Sequence, residues 1–330
     1  MKVVVTGGAG FLGSRLARAL LERGSLKDGE GRDQPISKLT LIDVTEPPAI
    51  ADSRVARITG DIFDPVLLKP VVDGETGAVF HLAAIVSGMA EADFDLGMRI
   101  NVDATRTLLE LCRAAGNRPR IVFTSSVAVF GGDLPSVLND TTALNPQTSY
   151  GIEKAIGEFL IADYTRRGFV DGRSLRLPTI TVRPGRPNAA ASSFASGIIR
   201  EPLNGEEAIC PVGREARIWV ASPRSAIAAL IHANELTSAA LGNRRWINVP
   251  GISVTAGEMA DALERVAGPE VARRIRWTRE ERIEKMVLGW PAAIDNSRAL
   301  QLGFEVDENF DAIVRSYIEQ DLGQVVESGI

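Results

Sequence analysis

The sequence predicts an α/β fold in which a doubly wound parallel sheet is followed by a smaller α/β lobe. In the first half, short β-branched apolar runs alternate with longer amphipathic stretches, the pattern of parallel strands joined by right-handed helical crossovers. The runs are apolar throughout, which is typical of strands covered by helices on both faces. After about Pro178 the alternation becomes irregular, and glycine, proline and serine become frequent. We therefore predict one domain over residues 1–178 and a second, partly interleaved domain over residues 179–330.

Composition limits the class of protein. The chain has 330 residues, of which 45% are hydrophobic and 24% charged, and its net charge is −5. These values are ordinary for a globular protein and give no reason to expect nucleic acid as a partner. No apolar run is long enough to span a membrane, and the first residues enter a strand rather than a signal peptide. Two cysteines suit a reducing compartment and two histidines argue against a histidine-built metal site, so we expect a cytoplasmic protein without a metal.

Four apolar runs of the first half are predicted strands, and the stretches between them include two predicted helices. The strands are "KVVVTG", "LTLID", "AVFHLAA" and "RIVFTSS", and the helices cover residues 14–23 and 102–115. Residues 25–37, between the first helix and the second strand, are polar and are predicted to form a surface loop. In the second half, "RRWINVPG" is a predicted strand with a turn, and "TAGEMADALERVAG" is a predicted amphipathic helix.

The first strand leads into a glycine-rich turn, "TGGAGFLG". Gly7, Gly10 and Gly13 have the spacing G-x-x-G-x-x-G and lie between a strand and a helix, as in dinucleotide-binding turns. Such glycines allow a tight turn, a close approach to a pyrophosphate, and close packing of the helix on the strand. The helix N-terminus then offers N–H groups to the phosphates. The alternative is a glycine-rich turn without a ligand, but this context favours a phosphate site on a Rossmann-type sheet.

Two aspartates that follow predicted strands are candidate cofactor contacts. Asp43 ends "LTLID", where a carboxylate accepts hydrogen bonds from ribose hydroxyls and disfavours a 2′-phosphate. This position favours NAD over NADP, although a strand-end aspartate can also cap a turn. Asp61 follows the next strand in "TGDIFD" and is expected either to meet the adenine amino group or to cap the following helix.

The segment "TSYGIEK" places Tyr150 and Lys154 four residues apart, on one face of a predicted helix. Tyrosine titrates at pH ~10 and is a poor base at neutral pH, but a nearby ammonium or a cationic nicotinamide ring favours the phenolate. The end of "RIVFTSS" supplies serine hydroxyls that can hold a reacting oxygen. Alone, the pair fits an ordinary surface helix. Combined with the glycine turn and Asp43, it predicts hydride transfer from an alcohol to NAD.

These motifs resemble those of the extended short-chain dehydrogenase/reductase family, which includes sugar-nucleotide epimerases and dehydratases. "TGGAGFLG", "HLAA", "TSSVAVFG" and "YGIEK" occur in the family's order, and the resemblance runs over the whole chain. It implies that Tyr150 is the catalytic base, Lys154 its partner and Ser126 the third catalytic residue. It also implies a homodimer formed through helices near residues 102–115 and 150–167. The further cofactor contacts expected are Phe11, Leu12, Ile62, Leu82, Ala83, Ala84, Asn101 and Pro178.

The second half bears on the substrate. Family members that act on sugar nucleotides commonly carry an "R-D-F-x-x-V-D-D" stretch, whereas "RIWVASPRSA" keeps only its arginine. The segment "VRPGRPNAAASSF" offers arginines and small polar donors that suit a carboxylate and hydroxyls, or it is a solvated loop. This segment is similar to that of family members that oxidise a four-carbon acid sugar at C2 with NAD. The candidate substrate residues are Ser87, Ser125, Arg183, Arg186, Asn188, Ser192 and Arg217.

Two alternatives to an acid-sugar dehydrogenase stay open. A nucleotide-sugar (UDP-hexose) 4-epimerase uses the same catalytic residues but keeps its NAD tightly bound, so retention of NAD through purification would indicate one. A non-catalytic NAD-sensing protein belongs to a different class of function. A sensor has no need of a base, so the intact set of Ser126, Tyr150 and Lys154 argues against that class.

Overall fold

The computed structural model describes residues 1–185 and 191–322, and the chain divides into two units. The first unit consists of Met1–Val129, Leu144–Leu177 and Ile227–Val249. The second unit consists of the described residues of Phe130–Ala143, Pro178–Ala226 and Pro250–Ile330. The chain enters the second unit at Phe130, at Pro178 and at Pro250, and it returns to the first unit at Leu144 and at Ile227. The assignment of cofactor binding to residues 1–178 and of substrate binding to residues 179–330 stays a prediction.

Fourteen strands occur in the described part of the chain. They are β1 (Lys2–Thr6), β2 (Ser25–Lys27), β3 (Asp33–Pro35), β4 (Lys38–Asp43), β5 (Val55–Thr59), β6 (Thr76–His81), β7 (Arg120–Ser126), β8 (Asp171–Leu177), β9 (Thr179–Ile180), β10 (Ala208–Cys210), β11 (Arg217–Ala221), β12 (Trp246–Asn248), β13 (Ile252–Thr255) and β14 (Ile275–Trp277). The runs predicted as strands correspond to β1, β4, β6, β7 and β12.

Fourteen α-helices occur in the same described residues. They are α1 (Phe11–Arg23), α2 (Pro65–Leu68), α3 (Ser87–Ala92), α4 (Phe94–Gly97), α5 (Ala104–Ala115), α6 (Ser149–Arg166), α7 (Ser193–Leu203), α8 (Pro223–Glu235), α9 (Ser238–Leu241), α10 (Ala256–Ala267), α11 (Pro269–Ala272), α12 (Glu281–Leu288), α13 (Ser297–Gln301) and α14 (Phe310–Asp321). A π-helical turn spans Met98–Asp103, and a 3₁₀ turn spans Val127–Val129. Within residues 1–185 and 191–322, no helix has both the length and the apolar character needed to cross a membrane.

The first unit is built on a seven-stranded parallel sheet in the order β12-β8-β7-β6-β1-β4-β5. Without the edge strand β12, this is the strand order of the Rossmann fold, so the predicted fold class is confirmed. The chain leaves β1 towards β4 on one side and later returns to β6 on the other. In such sheets, ligands bind at the carboxyl ends of the two adjacent strands at which the order reverses. Here these strands are β1 and β6.

Packing on one face of this sheet explains why the predicted runs form strands. Val4, Val79 and Ile121 come from adjacent strands and belong to one buried cluster with Leu108 and Cys112 of α5. The apolar stripe of α5 faces the sheet, as its amphipathic pattern predicts. This helix begins two residues later than predicted, because the chain before it forms the π-helical turn.

The prediction of a surface loop over residues 25–37 is wrong, because β2 and β3 form an antiparallel hairpin there. Asp28 stabilises the hairpin, because its carboxylate accepts hydrogen bonds from the backbone and the side chain of Arg32 at 3.1 and 3.0 Å. Leu26 and Ile36 are buried. The pattern was too short to indicate strands, since each strand has three residues and the segment has few apolar ones.

The second unit has a core of its own. Its three-stranded sheet has the order β13-β11-β9, with β11 antiparallel to β13 and parallel to β9. A separate parallel pair joins β10 to β14. The predicted helix of the second half is α10, which begins with a capping box between Thr255 and Glu258. The core cluster includes Ile198 of α7, Ile218 of β11, Met259 of α10 and Val314 of α14.

Candidate active site

The glycine turn connects the end of β1 to the N-terminus of α1. Gly7 has a φ of 74°, a left-handed conformation that favours glycine, and its carbonyl accepts a hydrogen bond from Gly10 N at 3.1 Å. Gly13 packs so closely that a Cβ atom there would lie 2.0 Å from Gly7 O. Phe11 and Leu12 begin α1, whose first turn has no side-chain cap and no acidic residue. The turn and the helix N-terminus therefore fit a pyrophosphate.

Asp43 lies at the end of β4, beside the glycine turn. Its Oδ2 accepts a hydrogen bond from Ala9 N at 3.0 Å, and its Oδ1 accepts one from Thr45 N at 3.2 Å. The backbone of the turn thus fixes this carboxylate next to the N-terminus of α1. This placement fits the ribose of NAD, and the contact with Thr45 is the turn-capping role that was the alternative.

Asp61 follows β5 and has two partners in the protein. Its Oδ1 accepts a hydrogen bond from Phe63 N at 2.9 Å, and its Oδ2 forms an ion pair with Arg99 of the π-helical turn. The helix that follows, α2, is capped by Asp64, whose side chain accepts a hydrogen bond from Val66 N, so the expectation that Asp61 caps this helix is wrong. The side chain of Ile62 is buried in the core of the first unit. The adenine contact of Asp61 stays a prediction.

The segment after β6 runs along the glycine turn. Leu82 N donates to Thr6 O at 3.1 Å, and Ala83 N donates to Thr6 Oγ1 at 3.3 Å. A Cβ atom on Gly7 would lie 2.8 Å from Ala83 N, so the two segments are in direct contact. Ala84, the next residue, is half-buried. These predicted cofactor residues thus lie at the carboxyl ends of β1 and β6, where the strand order reverses.

Asn101, in the π-helical turn, holds the same segment in place. Its Oδ1 accepts a hydrogen bond from Ile85 N at 2.9 Å, and its Nδ2 donates to Ile85 O at 3.0 Å. Nδ2 also donates to Glu153 Oε2 of α6 at 2.5 Å. Both amide hydrogens are therefore used within the protein. Asn101 therefore fixes the segment after β6, and its predicted contact with the cofactor stays a prediction.

Tyr150 lies in the first turn of α6, close to the end of β7. Thr148 caps this helix, its Oγ1 accepting a hydrogen bond from Gly151 N at 3.1 Å. A Cβ atom on Gly151 would lie 2.3 Å from Ala128 O, so glycine is needed for α6 to pack against the 3₁₀ turn. This close packing brings the Tyr150 hydroxyl near the Ser126 side chain, which lowers the pKa of the phenol. Two of the three predicted catalytic residues are therefore neighbours.

Lys154 lies one helical turn after Tyr150 and is almost completely buried. Its Nζ donates to Thr124 O at 2.9 Å and lies 5.6 Å from the centroid of the Tyr150 ring. The ring centroid of Phe123 is 4.8 Å away on another side. Burial lowers the pKa of Lys154 to about 8, while the neighbouring Glu153 carboxylate raises it. The predicted ammonium is thus held beside the phenol ring.

The ionisation of Tyr150 differs from the prediction. Burial raises the pKa of Tyr150 to about 12, the nearby Ser126 side chain lowers it, and Glu153 raises it. We predicted that the Lys154 ammonium would favour the phenolate. The loss of solvation outweighs such an attraction, because the phenol is buried and the ammonium lies 5.6 Å from its ring centroid. The groups of the chain itself therefore favour the neutral phenol.

Ser125 has surroundings that differ from those of Ser126. Its hydroxyl is buried and donates to Glu158 Oε1 at 2.5 Å, and Glu158 accepts two hydrogen bonds from Arg176 at 2.9 and 2.7 Å. Successive strand residues point to opposite faces, which separates the two serines. Ser125 therefore belongs to a buried ion-pair network, and this placement does not support its predicted contact with substrate. Ser87 opens α3 and is half-buried, and its substrate contact stays a prediction.

The predicted arginines of the second unit differ in their surroundings. Arg183 is half-buried, and its backbone N–H donates to Ser196 Oγ at 2.9 Å. Its guanidinium makes no hydrogen bond or ion pair with the described residues. Burial and the nearby Arg200 lower the pKa of Arg183. Arg217, by contrast, is exposed and donates to Ser253 O at 3.2 Å.

For the other predicted residues of this unit, the structure gives a position but no contact with a ligand-binding group, or gives no description. Ser192 is the N-cap residue of α7 and is half-buried, and its hydroxyl makes no capping hydrogen bond. Pro178 is buried at the start of the unit. Arg186 and Asn188 lie outside the described residues. The substrate roles of Arg183, Ser192 and Arg217 stay predictions.

Comparison with known proteins identifies the family. A sequence profile described as the NAD dependent epimerase/dehydratase family matches residues 3–240. The chain belongs to this family. It is 61% identical over 319 residues to the D-erythronate dehydrogenase of Cupriavidus necator, covering 97% of this chain and 98% of that protein. It is 48% identical over 323 residues to the D-erythronate dehydrogenase of Haemophilus influenzae, covering 98% of this chain and all of that protein.

A solved structure from Agrobacterium tumefaciens, described as a nucleoside-diphosphate-sugar epimerase, has the same fold. Its TM-score is 0.94 at 45% identity, and the match covers 99% of this chain and 96% of that one. The predicted family, the class of NAD-dependent oxidoreductase and the cofactor NAD are confirmed. The homodimer and the cytoplasmic location stay predictions. The helix α6, through which the homodimer was predicted to form, has exposed side chains at Ile152 and Phe159.

Two buried acids of α6, Glu153 and Glu158, were not predicted as part of the site. Glu158 follows Lys154 by one helical turn, so its spacing places it on the helix face that carries the predicted catalytic residues Tyr150 and Lys154. Glu153 gives no such signal, because a glutamate next to a lysine on a helix is usually solvated. Only the packing of α6 against the π-helical turn places its side chain in the interior.

Proposed function

We propose that this protein is an NAD-dependent dehydrogenase that oxidises the C2 hydroxyl of D-erythronate to the corresponding 2-oxo acid. The observation that carries the proposal is the 61% identity, over 97% of the chain, to a protein named D-erythronate dehydrogenase. The Tyr150 hydroxyl, with Ser126 near it and Lys154 Nζ 5.6 Å from the centroid of its ring, supports the oxidation of an alcohol.

The first unit supplies the groups that bind the cofactor. The turn from Gly7 to Gly13 and the N-terminus of α1 bind the pyrophosphate of NAD, and the carboxylate of Asp43 accepts hydrogen bonds from its adenosine ribose. NAD, when bound, accepts a hydride and carries a positive charge on its nicotinamide ring, which favours a nearby phenolate. These groups lie at the carboxyl ends of the strands, close to β1 and β6.

Tyr150 acts as the base. Its Oη takes the proton of the C2 hydroxyl while Ser126 Oγ holds the same oxygen, and loss of the hydride from C2 leaves a carbonyl group. Lys154 holds its ammonium beside the ring and favours the phenolate. Because burial raises the pKa of Tyr150 to about 12, we expect turnover to rise with pH as more of the phenol ionises. The hydroxyl proton thus ends on Tyr150 and passes from there to solvent.

The carboxylate of the substrate is assigned to Arg183. A half-buried guanidinium that makes no hydrogen bond or ion pair with the described residues is suited to paired hydrogen bonds with a carboxylate. Arg217 is the weaker candidate, because it is exposed and already bonds Ser253 and Glu258.

A nucleotide-sugar 4-epimerase is the second candidate function. It is favoured by the 45% identity to the Agrobacterium tumefaciens protein described as such an epimerase. An epimerase must return the hydride to its substrate, so its NAD would remain bound through purification. Of the "R-D-F-x-x-V-D-D" stretch that is common in sugar-nucleotide enzymes of the family, this chain has only the arginine, Arg217, which argues against this candidate.

The test is NADH formation by the purified protein with NAD and D-erythronate, L-threonate, D-threonate, a uronate or a UDP-hexose. We expect saturable NADH formation with D-erythronate. Interconversion of a UDP-hexose, with no NADH from any acid, would refute the proposal. The variant Tyr150→Phe should bind NAD normally and lose nearly all turnover. Tyr164→Phe is its matched control on the same helix, because the Tyr164 hydroxyl donates to Glu110 and is remote from the catalytic pair.

A further inference from the structure

The catalytic pair of α6 is accompanied by a third ionisable group, Glu153, whose side chain is almost completely buried. Its Oε2 accepts a hydrogen bond from Asn101 Nδ2 at 2.5 Å. Its Oε1 is buried without a hydrogen-bond partner among the described residues. An unpartnered carboxylate oxygen in the interior destabilises a fold, so a gain elsewhere is needed to explain its presence.

The surroundings of Glu153 hold its carboxylate in one position. A Cβ atom on Gly97, at the end of α4, would lie 2.4 Å from Glu153 Oε1, so the backbone approaches as closely as a glycine allows. Asn101, which donates to the other oxygen, is itself held by two hydrogen bonds to Ile85. The carboxylate is therefore enclosed between α6, α4 and the π-helical turn.

The polar groups behind Asn101 are uncharged. Thr105 Oγ1 donates to Asn101 O at 2.8 Å and lies 2.9 Å from His81 Nε2, while His81 Nδ1 lies 2.7 Å from Thr6 Oγ1. Burial lowers the pKa of His81 to about 3, so the imidazole is neutral at physiological pH. This chain of side chains fixes Asn101 and adds no charge near Glu153.

The ionisable groups that act on Glu153 are Lys154 on its own helix and Glu91 on α3. The adjacent α4 contributes a glycine, and the π-helical turn contributes the neutral Asn101. Burial raises the pKa of Glu153, the Asn101 hydrogen bond and Lys154 lower it, and Glu91 raises it. In return, the Glu153 carboxylate raises the pKa of both Tyr150 and Lys154. Glu153 follows Tyr150 by three residues on α6, so the two side chains are neighbours on the helix surface, and it directly precedes Lys154. Its charge therefore acts on both members of the catalytic pair.

We propose that Glu153 is a positioning residue whose fixed negative charge sets the pH range in which Lys154 stays protonated and Tyr150 accepts the substrate proton. A buried ammonium keeps its charge when an anion lies nearby. Lys154 has a backbone carbonyl as its hydrogen-bond acceptor, so Glu153 supplies the compensating charge. This inference rests on the proposed function, because it requires Tyr150 to act as the base.

The test is the pH dependence of kcat for Glu153→Gln. Glutamine keeps the volume and the oxygen that accepts from Asn101, and removes the charge. Because the carboxylate raises the pKa of Tyr150 and Lys154, its removal lowers both. The rising and falling limbs of the profile should therefore both move to lower pH, by about one pH unit. A profile that superimposes on that of the unmodified protein overturns the proposal, since a carboxyl that is already neutral gives that result.

The variant Glu153→Asp is the matched control, because it keeps the charge and shortens the side chain. We expect its profile to remain at the original pH even where kcat falls. A displacement equal to that of Glu153→Gln would show that packing, and not charge, is the cause, which overturns the proposal. Thermal melting reports folding of each variant. If Glu153→Gln does not fold, Glu153→Met supplies a neutral side chain of similar volume for the same titration.

Failure of this inference is distinguishable from failure of the proposed function. If Tyr150→Phe retains near-native turnover, Tyr150 is not the base and the proposed function fails. If Tyr150→Phe is inactive while Glu153→Gln keeps the original pH profile, the proposed function stands and only the role of Glu153 is refuted.

Discussion

Replacing Gly13 with alanine is expected to weaken NAD binding much more than it weakens the fold. A Cβ atom at this position would lie 2.0 Å from Gly7 O, whereas Cβ atoms essentially never approach another atom more closely than 3.0 Å. The turn must therefore open by at least 3.0 − 2.0 = 1.0 Å. Within a helix, alanine is itself more favourable than glycine by about 0.5–1 kcal/mol, which partly offsets the strain. The displacement falls on the Gly7 carbonyl, in the turn to which we assign pyrophosphate binding.

A misplacement of about 1 Å in an active site can lower the catalytic rate roughly a hundred-fold. We expect a loss of similar size in NAD affinity, so the dissociation constant should rise roughly a hundred-fold, which corresponds to about 3 kcal/mol of binding free energy. Isothermal titration calorimetry with NAD measures this loss, and thermal melting measures the effect on the fold. Gly29→Ala is the matched control, because a Cβ atom on Gly29 meets nothing within 4 Å. An NAD dissociation constant for Gly13→Ala within about threefold of the unmodified protein would refute the assignment of this turn as the phosphate site.

Two further predictions concern buried and half-buried charges. Arg183→Lys should raise the KM for D-erythronate about tenfold or more, because lysine cannot form paired hydrogen bonds with a carboxylate. The KM for NAD should stay unchanged. If Arg217→Lys raises the KM for D-erythronate equally, the assignment of the substrate carboxylate to Arg183 is contradicted. Glu158→Gln should lower the free energy of unfolding in urea by about 3 kcal/mol, because it removes the negative charge that compensates the buried guanidinium of Arg176. Glu270→Gln, which breaks an exposed ion pair, is the control, and an equally small loss in both variants would contradict the prediction.

The predictions that succeeded depend on local spacing. The alternation of apolar runs with amphipathic stretches predicted β1, β4, β6 and β7 and the helices between them, because burial on both faces of a parallel sheet requires such runs. The glycine spacing predicted the turn at Gly7, and the interval between Tyr150 and Lys154 predicted their shared helix face. Each of these patterns is a property of one short segment, so it can be recognised before the chain folds.

The predictions that failed or were missing depend on burial and on contacts between distant segments. The edge strand β12 joins the sheet of the first unit from a segment far along the chain. Ser125 lies in a buried network with Glu158 instead of facing a substrate, because its neighbours come from α6 and β8. The hairpin β2–β3 was missed because its strands are short and carry few apolar residues.

The sequence by itself determined the fold class, the glycine turn between β1 and α1 and the shared helix face of Tyr150 and Lys154, since these follow from short motifs whose spacing has a direct geometric meaning. Only the tertiary structure decided the electrostatic state of this pair. Burial raises the pKa of Tyr150 to about 12, and Asn101 holds the Glu153 carboxylate beside the pair from a position 52 residues away in the chain. Solvation and the distance between charges exist only after the segments have packed, so no reading of the segment "YGIEK" alone reveals them.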